Sequence, residues 1–573
     1  MARLETAAGS RRAAWAVPFV LAVLTLLVSP DLMPAYSEIN PFDEAKYIES
    51  GRLLLTGELR DLPWGPLVAL AYAPFHLIFG NSPNWFVIEA WSGRILLFLA
   101  LWLSTYHLSL QFKIAARRYM TMGVLFISTA FFDVLKNPSD ALFAVFASLS
   151  LARLMVYYDR KNEAEIWRVS ALLGMAVLAR FEAIVLVPCF LVAVLIIRRA
   201  LRPGVRWLLA SLLPAAAIVG GYVLAFRLTS PGMDLGIAGK SYDSFEVNQP
   251  VSGTGTRSDR RELARSLFGT SEENRGSVVR AILRNPGAFA GRLLTNIGGL
   301  PDLFLFTFGK RIGPALLLFA AFGTYCLVRT RRWAYLGFAA LWSAPALVSL
   351  AFLPLHIVRQ LSHLVLVLSA IGLTASVSDT LALRERHLPW IAALALGVYG
   401  LVDAKLAFLT VGVVLAGAWA FLLLTRPSHG ENGAEGIRAS ALFLAAGLIL
   451  RGAFPFPNYP QFGTTPQEQV VHYLQEELPR GSRILESDPL PAVAAKMAED
   501  SWGGAPRDIT TSAELRAWLR SEDIDAVFVD SRDVPRPELV ALLEAGLGSE
   551  FLIGHQSEDG RLRVYMMLDQ ANH

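Results

Sequence analysis

The chain has 573 residues, of which 54% are hydrophobic and 17% charged. Soluble domains carry about a quarter charged residues, so this balance excludes an ordinary soluble enzyme and points to a protein that crosses a membrane many times. A formal net charge of +4, with no basic stripe interleaved with aromatics, excludes a nucleic-acid footprint. The two cysteines, Cys189 and Cys326, both lie in apolar runs, which excludes a disulfide framework and a Cys/His zinc site.

The N-terminus carries Arg3, Arg11 and Arg12 ahead of an apolar run from Ala13 to Met33. That run is too long for a signal peptide and lacks a small-x-small cleavage site, so it reads as an uncleaved first span. A span needs about 20 apolar residues. On that measure spans fall near 13–33, 85–108, 119–135, 139–157, 168–180, 182–198, 206–227, 312–329, 333–354, 361–379, 388–403, 405–425 and 437–454, about thirteen in all. The shorter apolar stretch 67–80 reads as a helix along the membrane face.

Lysine and arginine in short loops mark the cytoplasmic side. One set of loops holds Lys113, Arg117 and Arg118, then Arg160, Lys161 and Arg168, then Arg198, Arg199, Arg202 and Arg206. It continues with Arg329, Arg331 and Arg332, Arg384 and Arg386, and Arg426 and Arg438. The alternate loops hold little beyond Lys136, Arg180 or Lys405. The N-terminus is therefore expected inside and the C-terminal tail outside. Both flanks of 168–198 are basic, which demands an even number of crossings and predicts two short helices with an outer tip at Arg180-Phe181-Glu182. Charges there are expensive unless they face a cavity, or unless Arg180 and Glu182 satisfy each other at headgroup level.

Three outer segments are large: 34–84, 228–311 and the tail from 455 to 573. A polar stretch from Gln249 to Arg261 reads as a loop, and 273–298 as helical. The tail alternates helix-like runs (467–478, 513–520, 537–547) with strand-like ones (483–486, 526–529, 562–567), the pattern of a small α/β domain. The expected architecture is an α-helical polytopic membrane domain over 1–454, followed by a small extracytoplasmic α/β domain over 455–573.

The first outer loop opens Asn40-Pro41-Phe42-Asp43-Glu44-Ala45-Lys46-Tyr47. Vicinal carboxylates just outside a span could supply a general base and a neighbouring donor or metal contact. Helix capping explains them equally well, with Asn40 as N-cap, Pro41 at N1 and Asp43 facing the helix dipole. The same grammar recurs as Asn137-Pro138-Ser139-Asp140 at the next outer turn, and as Asn285-Pro286 without the acid. Helix N-termini aimed at a shared cavity also favour anionic ligands such as phosphate.

The ordered set resembles the GT-C superfamily of membrane glycosyltransferases, of the protein O-mannosyltransferase and aminoarabinose transferase type (glycosyltransferase family 39-like). The matching features are Asp43-Glu44 followed by Tyr47, the Pro138-x-Asp140-Ala-Leu helix start and the Leu-Ala-Arg-Phe-Glu-Ala tip at 178–183. A long outer loop, a span bearing Arg359 and an outer tail follow in order. The resemblance implies inverting transfer of a sugar from a polyprenyl-phosphate-linked donor to a hydroxyl on a lipid, glycan or protein acceptor. It implies Asp43 as the base with Glu44 beside it, and Asp140 as a second acid that orients substrate. A divalent metal ion is left open, with Asp43 and Asp140 the residues that could hold it. Phosphate-binding cations are needed for the leaving group. Arg359 is the first choice, with Arg180, Lys136 and Lys310-Arg311 behind it, and Glu182, Tyr47 and His363 complete the expected substrate-binding set. Arg359 can equally be an interfacial arginine.

The chain departs from its relatives in lacking a proline just after Arg359 and a Trp-Trp-Asp run in the tail, where Ser501-Trp502-Gly503-Gly504 is the nearest stretch. That absence argues against an oligosaccharyltransferase. Two other classes remain in view. A multi-span transporter or lipid flippase would be expected to show matching broken helices in both halves. A scaffold or sensor would leave these side chains scattered. An Arg- and Ala-rich composition suggests a GC-rich bacterium and its plasma (inner) membrane.

Overall fold

The computed structural model describes residues 44–59, 65–82, 84–112, 130–198, 204–230, 237–250, 257–309, 313–352, 354–377, 383–402, 465–479, 482–486, 508–531 and 536–568, with scattered positions between. Asp43, Asn40, Lys310, Arg311 and the expected spans 405–425 and 437–454 lie outside the described residues, as do most of 13–33 and part of 119–135.

In chain order the helices are α1 (Glu44–Leu55), α2 (Pro66–Phe79), α3 (Trp85–Ser109), α4 (Ala130–Leu135), α5 (Pro138–Arg160), α6 (Glu163–Ala179) and α7 (Leu186–Ile197). Next come α8 (Val205–Ser211), α9 (Leu213–Thr229), α10 (Ile237–Val247), α11 (Arg257–Phe268), α12 (Val278–Arg284) and α13 (Pro286–Phe308). The series continues with α14 (Gly313–Arg329), α15 (Trp333–Trp342), α16 (Ala344–Phe352), α17 (Pro354–Val377) and α18 (Leu383–Val402). The protein is an integral membrane protein, mostly helical. Among the described residues four helical stretches (Trp85–Phe112, Pro138–Arg160, Trp333–Phe352 and Pro354–Ser376) are long and apolar enough to cross a bilayer. The count rises to six if each of two bent pairs is one span. That is fewer than the thirteen expected. Some expected spans fall outside the described residues, and others are broken by local chemistry.

The breaks follow from the residues. Pro138 starts α5 at a position where no amide is needed, and Lys161 ends it in the left-handed conformation (φ 54°). Asn162 caps α6 by accepting from the Ala164 amide, and Glu163 and Glu165 fill its first turn. α6 stops because Arg180 is extended (φ −157°), and a 3-10 turn (Phe181–Val185) leads into α7. The helical stretch expected at 273–298 is two helices, and the second starts at the Asn285-Pro286 cap read from the sequence. Proline disfavours helical geometry in the residue before it, so Asn285 leaves the helix and its side chain caps Ala288 instead.

Cα proximity divides the chain into two units: residues 1–29, 58–68 and 95–457 in one, and 30–57, 69–94 and 458–573 in the other. The larger unit has its core between α5, α6, α7, α15 and α17, with Tyr157, Phe190, Phe338, Trp342 and Ile371 buried in it. α14 and α17 cross at glycines. A Cβ on Gly323 would stand 2.0 Å from the Leu368 carbonyl oxygen, and one on Gly372 2.0 Å from that of Phe319. Close backbone approach of this kind replaces the hydrophobic driving force that lipid removes.

The smaller unit joins residues 30–57 and 69–94 to the tail. The Trp85 indole donates to the Ala494 carbonyl at 2.9 Å, and Gln475 Nε2 donates to the same oxygen at 3.2 Å. The tail carries α19 (Pro466–Glu477), α20 (Ser512–Ser521) and α21 (Pro537–Ala545) around a five-stranded mixed sheet in the order β2-β1-β3-β5-β4. Strands β1 (Arg483–Glu486), β2 (Ala498–Ser501) and β3 (Ala526–Asp530) are parallel, while β4 (Phe551–Gln556) and β5 (Leu562–Met567) pair antiparallel. α19 and α20 each start with a capping box, Thr465 with Glu468 and Thr511 with Glu514.

Candidate functional site

Within the larger unit, five chain segments bring their ends together around buried charge. Asp140, at the first turn of α5, is fully buried. Arg180 Nη1 lies 2.8 Å from its Oδ1, an ion pair whose angle is outside hydrogen-bond geometry. His356 Nδ1, at the start of α17, lies 2.7 Å from its Oδ2. Arg180 also donates to Glu182 Oε1 at 3.0 Å and to Ser139 Oγ at 3.4 Å. The capping expected of Asn137 is not made: its Oδ1 accepts from Ser139 Oγ at 2.7 Å instead. Asp140 is thus held by Arg180 and His356 in addition to lying at a helix N-terminus.

A second pair stands alongside. Arg359 donates to Asp133 through both Nε (3.2 Å) and Nη2 (3.1 Å), and Thr307 Oγ1 donates to the same carboxylate at 3.0 Å. The cluster therefore holds three carboxylates (Asp133, Asp140, Glu182) against two guanidiniums, and an imidazolium at His356 would bring the count to zero. Buried charge is tolerated only when paired in this way. Gly65 lies against its edge: it adopts φ +61°, and a Cβ there would stand 2.3 Å from the Ala179 carbonyl oxygen and 3.4 Å from Ser139 Cβ.

The expected site residues divide among several places. Asp140, Arg180, Glu182 and Arg359 meet in this cluster. Lys136 is exposed on the turn between Asp133 and Asp140 and makes no ion pair among the described residues. His363 is buried on α17, two turns beyond His356, and neither ring nitrogen has a hydrogen-bond partner. Glu44 and Tyr47 are buried in the smaller unit. There Arg94 grips Glu44 with two bonds of 2.6 Å, Nε to Oε1 and Nη2 to Oε2, so that the carboxylate is committed to a bidentate pair. In the same unit His76 Nδ1 meets Glu89 Oε1 at 2.8 Å. Asp43 lies outside the described residues.

Sequence reading missed Asp133, His356, Thr307 and Arg94. Two of them carried a usable signal. Asp133 is a carboxylate inside the apolar run Phe131-Phe132-Asp133-Val134-Leu135, and an ionisable residue in such a run asks for a partner. His356 stands three residues before Arg359, on the same helix face. Among the described residues no group of three His, Cys, Asp or Glu side chains is placed to hold a metal ion.

No family model matches the chain, and no curated protein matches it at the sequence level. Solved structures do. The crystal structure of ArnT from Cupriavidus metallidurans bound to undecaprenyl phosphate aligns with a TM-score of 0.56 at 15% identity. The alignment covers 96% of this chain and 98% of that one. The apo state of the same protein gives a TM-score of 0.57 at 15% identity, covering 97% and 98%. The chain has the ArnT fold over nearly its full length, and the resemblance drawn from the sequence holds at the level of the fold.

Proposed function

We propose that the chain is a membrane glycosyltransferase that moves a sugar from a polyprenyl-phosphate-linked donor to a hydroxyl acceptor, with inversion, on the outer face of the membrane. The observation that carries this reading is the charge cluster of buried Asp133, Asp140 and Arg359 with the partly exposed Arg180, Glu182 and His356, at the ends of α4, α5, α6 and α17. The ArnT fold supports it, and ArnT itself was solved with undecaprenyl phosphate. Paired ionisable groups concentrate where a site must hold fixed charge in a set geometry, and such a frame suits a reaction that develops charge.

In this mechanism Asp43 accepts the proton of the acceptor hydroxyl, and the oxygen attacks the anomeric carbon. The bond from that carbon to the phosphate oxygen breaks, and its electron pair leaves on the polyprenyl phosphate. Glu44, already bound to Arg94, acts by fixing the start of α1 beside Asp43. Arg359 and Arg180 are neutralised by Asp133, Asp140 and Glu182, so they stiffen the site and set its potential. Lys136, exposed on the turn between the two aspartates, is the cation we assign to the phosphate, a reading its lack of an ion pair among the described residues supports.

The test compares envelope glycolipids, glycans and glycoproteins by mass spectrometry in wild-type, deletion and Asp43→Asn cells. One sugar missing from the same molecule in both mutants supports the reading. A deletion that changes nothing in any of the three classes refutes it.

A further inference from the structure

Arg292 lies on α13 with 2% of its surface exposed, yet no carboxylate among the described residues pairs with it. Its guanidinium donates to four neutral acceptors. Nη1 reaches the Phe245 carbonyl at 2.8 Å and Gln249 Oε1 at 3.1 Å, and Nη2 reaches the carbonyls of Asn248 at 3.3 Å and Phe352 at 3.2 Å. The guanidinium also lies 4.3 Å from the centre of the Phe245 ring, which meets the Phe352 ring edge-on at 6.3 Å. Burying a cation without an anion is costly, so the arrangement needs a compensating return.

The acceptors identify that return. Phe245 lies in the last turn of α10, Asn248 and Gln249 follow that helix directly, with Gln249 accepting through its side chain, and Phe352 is the last residue of α16. Carbonyls at helix C-termini lack intrahelical partners and carry partial negative charge, which a cation satisfies. Only a forked, planar guanidinium spans two helix ends at once, since a lysine presents its donors from a single nitrogen. One turn along α13, Asn296 Nδ2 donates to the Leu350 carbonyl at 2.8 Å, so two residues of one face tie α13 to the end of α16. α17 begins at Pro354, and its first turns carry His356 on Asp140 and Arg359 on Asp133.

We propose that Arg292 is a positioning residue. By clamping the end of α16 to the outer-loop helix α10, it fixes the helix end two residues before the start of α17, which delivers His356 to Asp140. The inference rests on the reading of that cluster as part of a transferase site. A misplacement of about 1 Å at a reacting site can cost on the order of 100-fold in rate.

The test uses the full chain, purified in lipid nanodiscs, as wild type, Arg292→Lys and Arg292→Ala. Arg292→Lys keeps the charge and guards against simple failure to fold. Hydrogen exchange of the amides over residues 354–360 is expected to accelerate by about tenfold or more in both variants, as one lost charged hydrogen bond implies. Exchange in α5 and α6 should stay unchanged. The transfer rate should fall by roughly 10–100-fold with little change in KM for the donor. In a His356→Ala background Arg292→Lys should then have almost no further effect, because both act through one contact. Unchanged exchange at 354–360, or acceleration spread over the whole chain, overturns the proposal. So do losses that multiply in the double variant. A wild type without transfer activity would overturn the functional reading instead, and the exchange result would still decide whether Arg292 holds the turn.

Discussion

Replacing Asp133 by asparagine tests the charge cluster most directly. The side chain keeps its size and can still accept from Thr307, but the bidentate partner of Arg359 becomes neutral. Both members of the pair are less than a tenth exposed, and their two bonds are 3.1 and 3.2 Å long. At an effective dielectric of about 20, two charges about 3 Å apart attract by roughly 5 kcal/mol, most of which the desolvation of the ions offsets. Removing the carboxylate leaves Arg359 desolvated and without its counter-charge, so the single variant should lose about 3–5 kcal/mol. Replacing both residues by apolar ones of similar size (Asp133→Leu with Arg359→Met) should recover most of the loss. The assay is thermal unfolding of the detergent-solubilised protein, followed by the fraction still monodisperse after heating. A fall in Tm of roughly 2–4 °C is expected for Asp133→Asn, at about 1 °C per kcal/mol or slightly less for a chain of this length. The double variant should melt near the wild type yet transfer no sugar. A single variant that melts within about 1 °C of the wild type would refute the view that Asp133 neutralises a buried Arg359.

Gly372→Ala should destabilise the α14–α17 crossing by about 1–3 kcal/mol, because its Cβ meets a backbone carbonyl that cannot swing aside; an unchanged melting curve would argue that the helices can separate at little cost. His555, stacked on Tyr473 in the tail, has its pKa lowered by burial. The unfolded tail then binds a proton more readily than the folded one. The tail should hold its full stability above the ordinary histidine pKa of about 6.5 and lose stability as the pH falls through it. Limited proteolysis of the tail at pH 7.5 and pH 5 reads this, and His555→Gln should flatten the difference; equal cleavage of the two proteins at both values would contradict it.

Much of the secondary structure was legible from local pattern. Apolar runs of about 20 residues located α3, α5, α15 and most of α17. Asn-Pro at 137–138 and 285–286 marked the starts of α5 and α13, and the tail pattern found β1, β3 and β5 with all three described tail helices. What escaped was local structure with no local signature. β2 reads Ala-Glu-Asp-Ser, a polar strand at the sheet edge, and β4 is interrupted by a register shift at Gly554. Neither shows the alternation by which strands are recognised.

The sequence by itself determined which segments are apolar, where several helices start and stop, and that carboxylates stand at the helix starts Glu44 and Asp140. Those properties depend on neighbours within a few residues. Only the tertiary structure decided which charge answers which. Asp140 takes His356 from 216 positions away, Asp133 takes Arg359 from 226, and Glu44 takes Arg94 from 50. Many arginines in the sequence could have served each acid equally well. The choice follows from which helix ends packing brings together, because a charge already forced out of water binds whatever counter-charge the fold carries within reach.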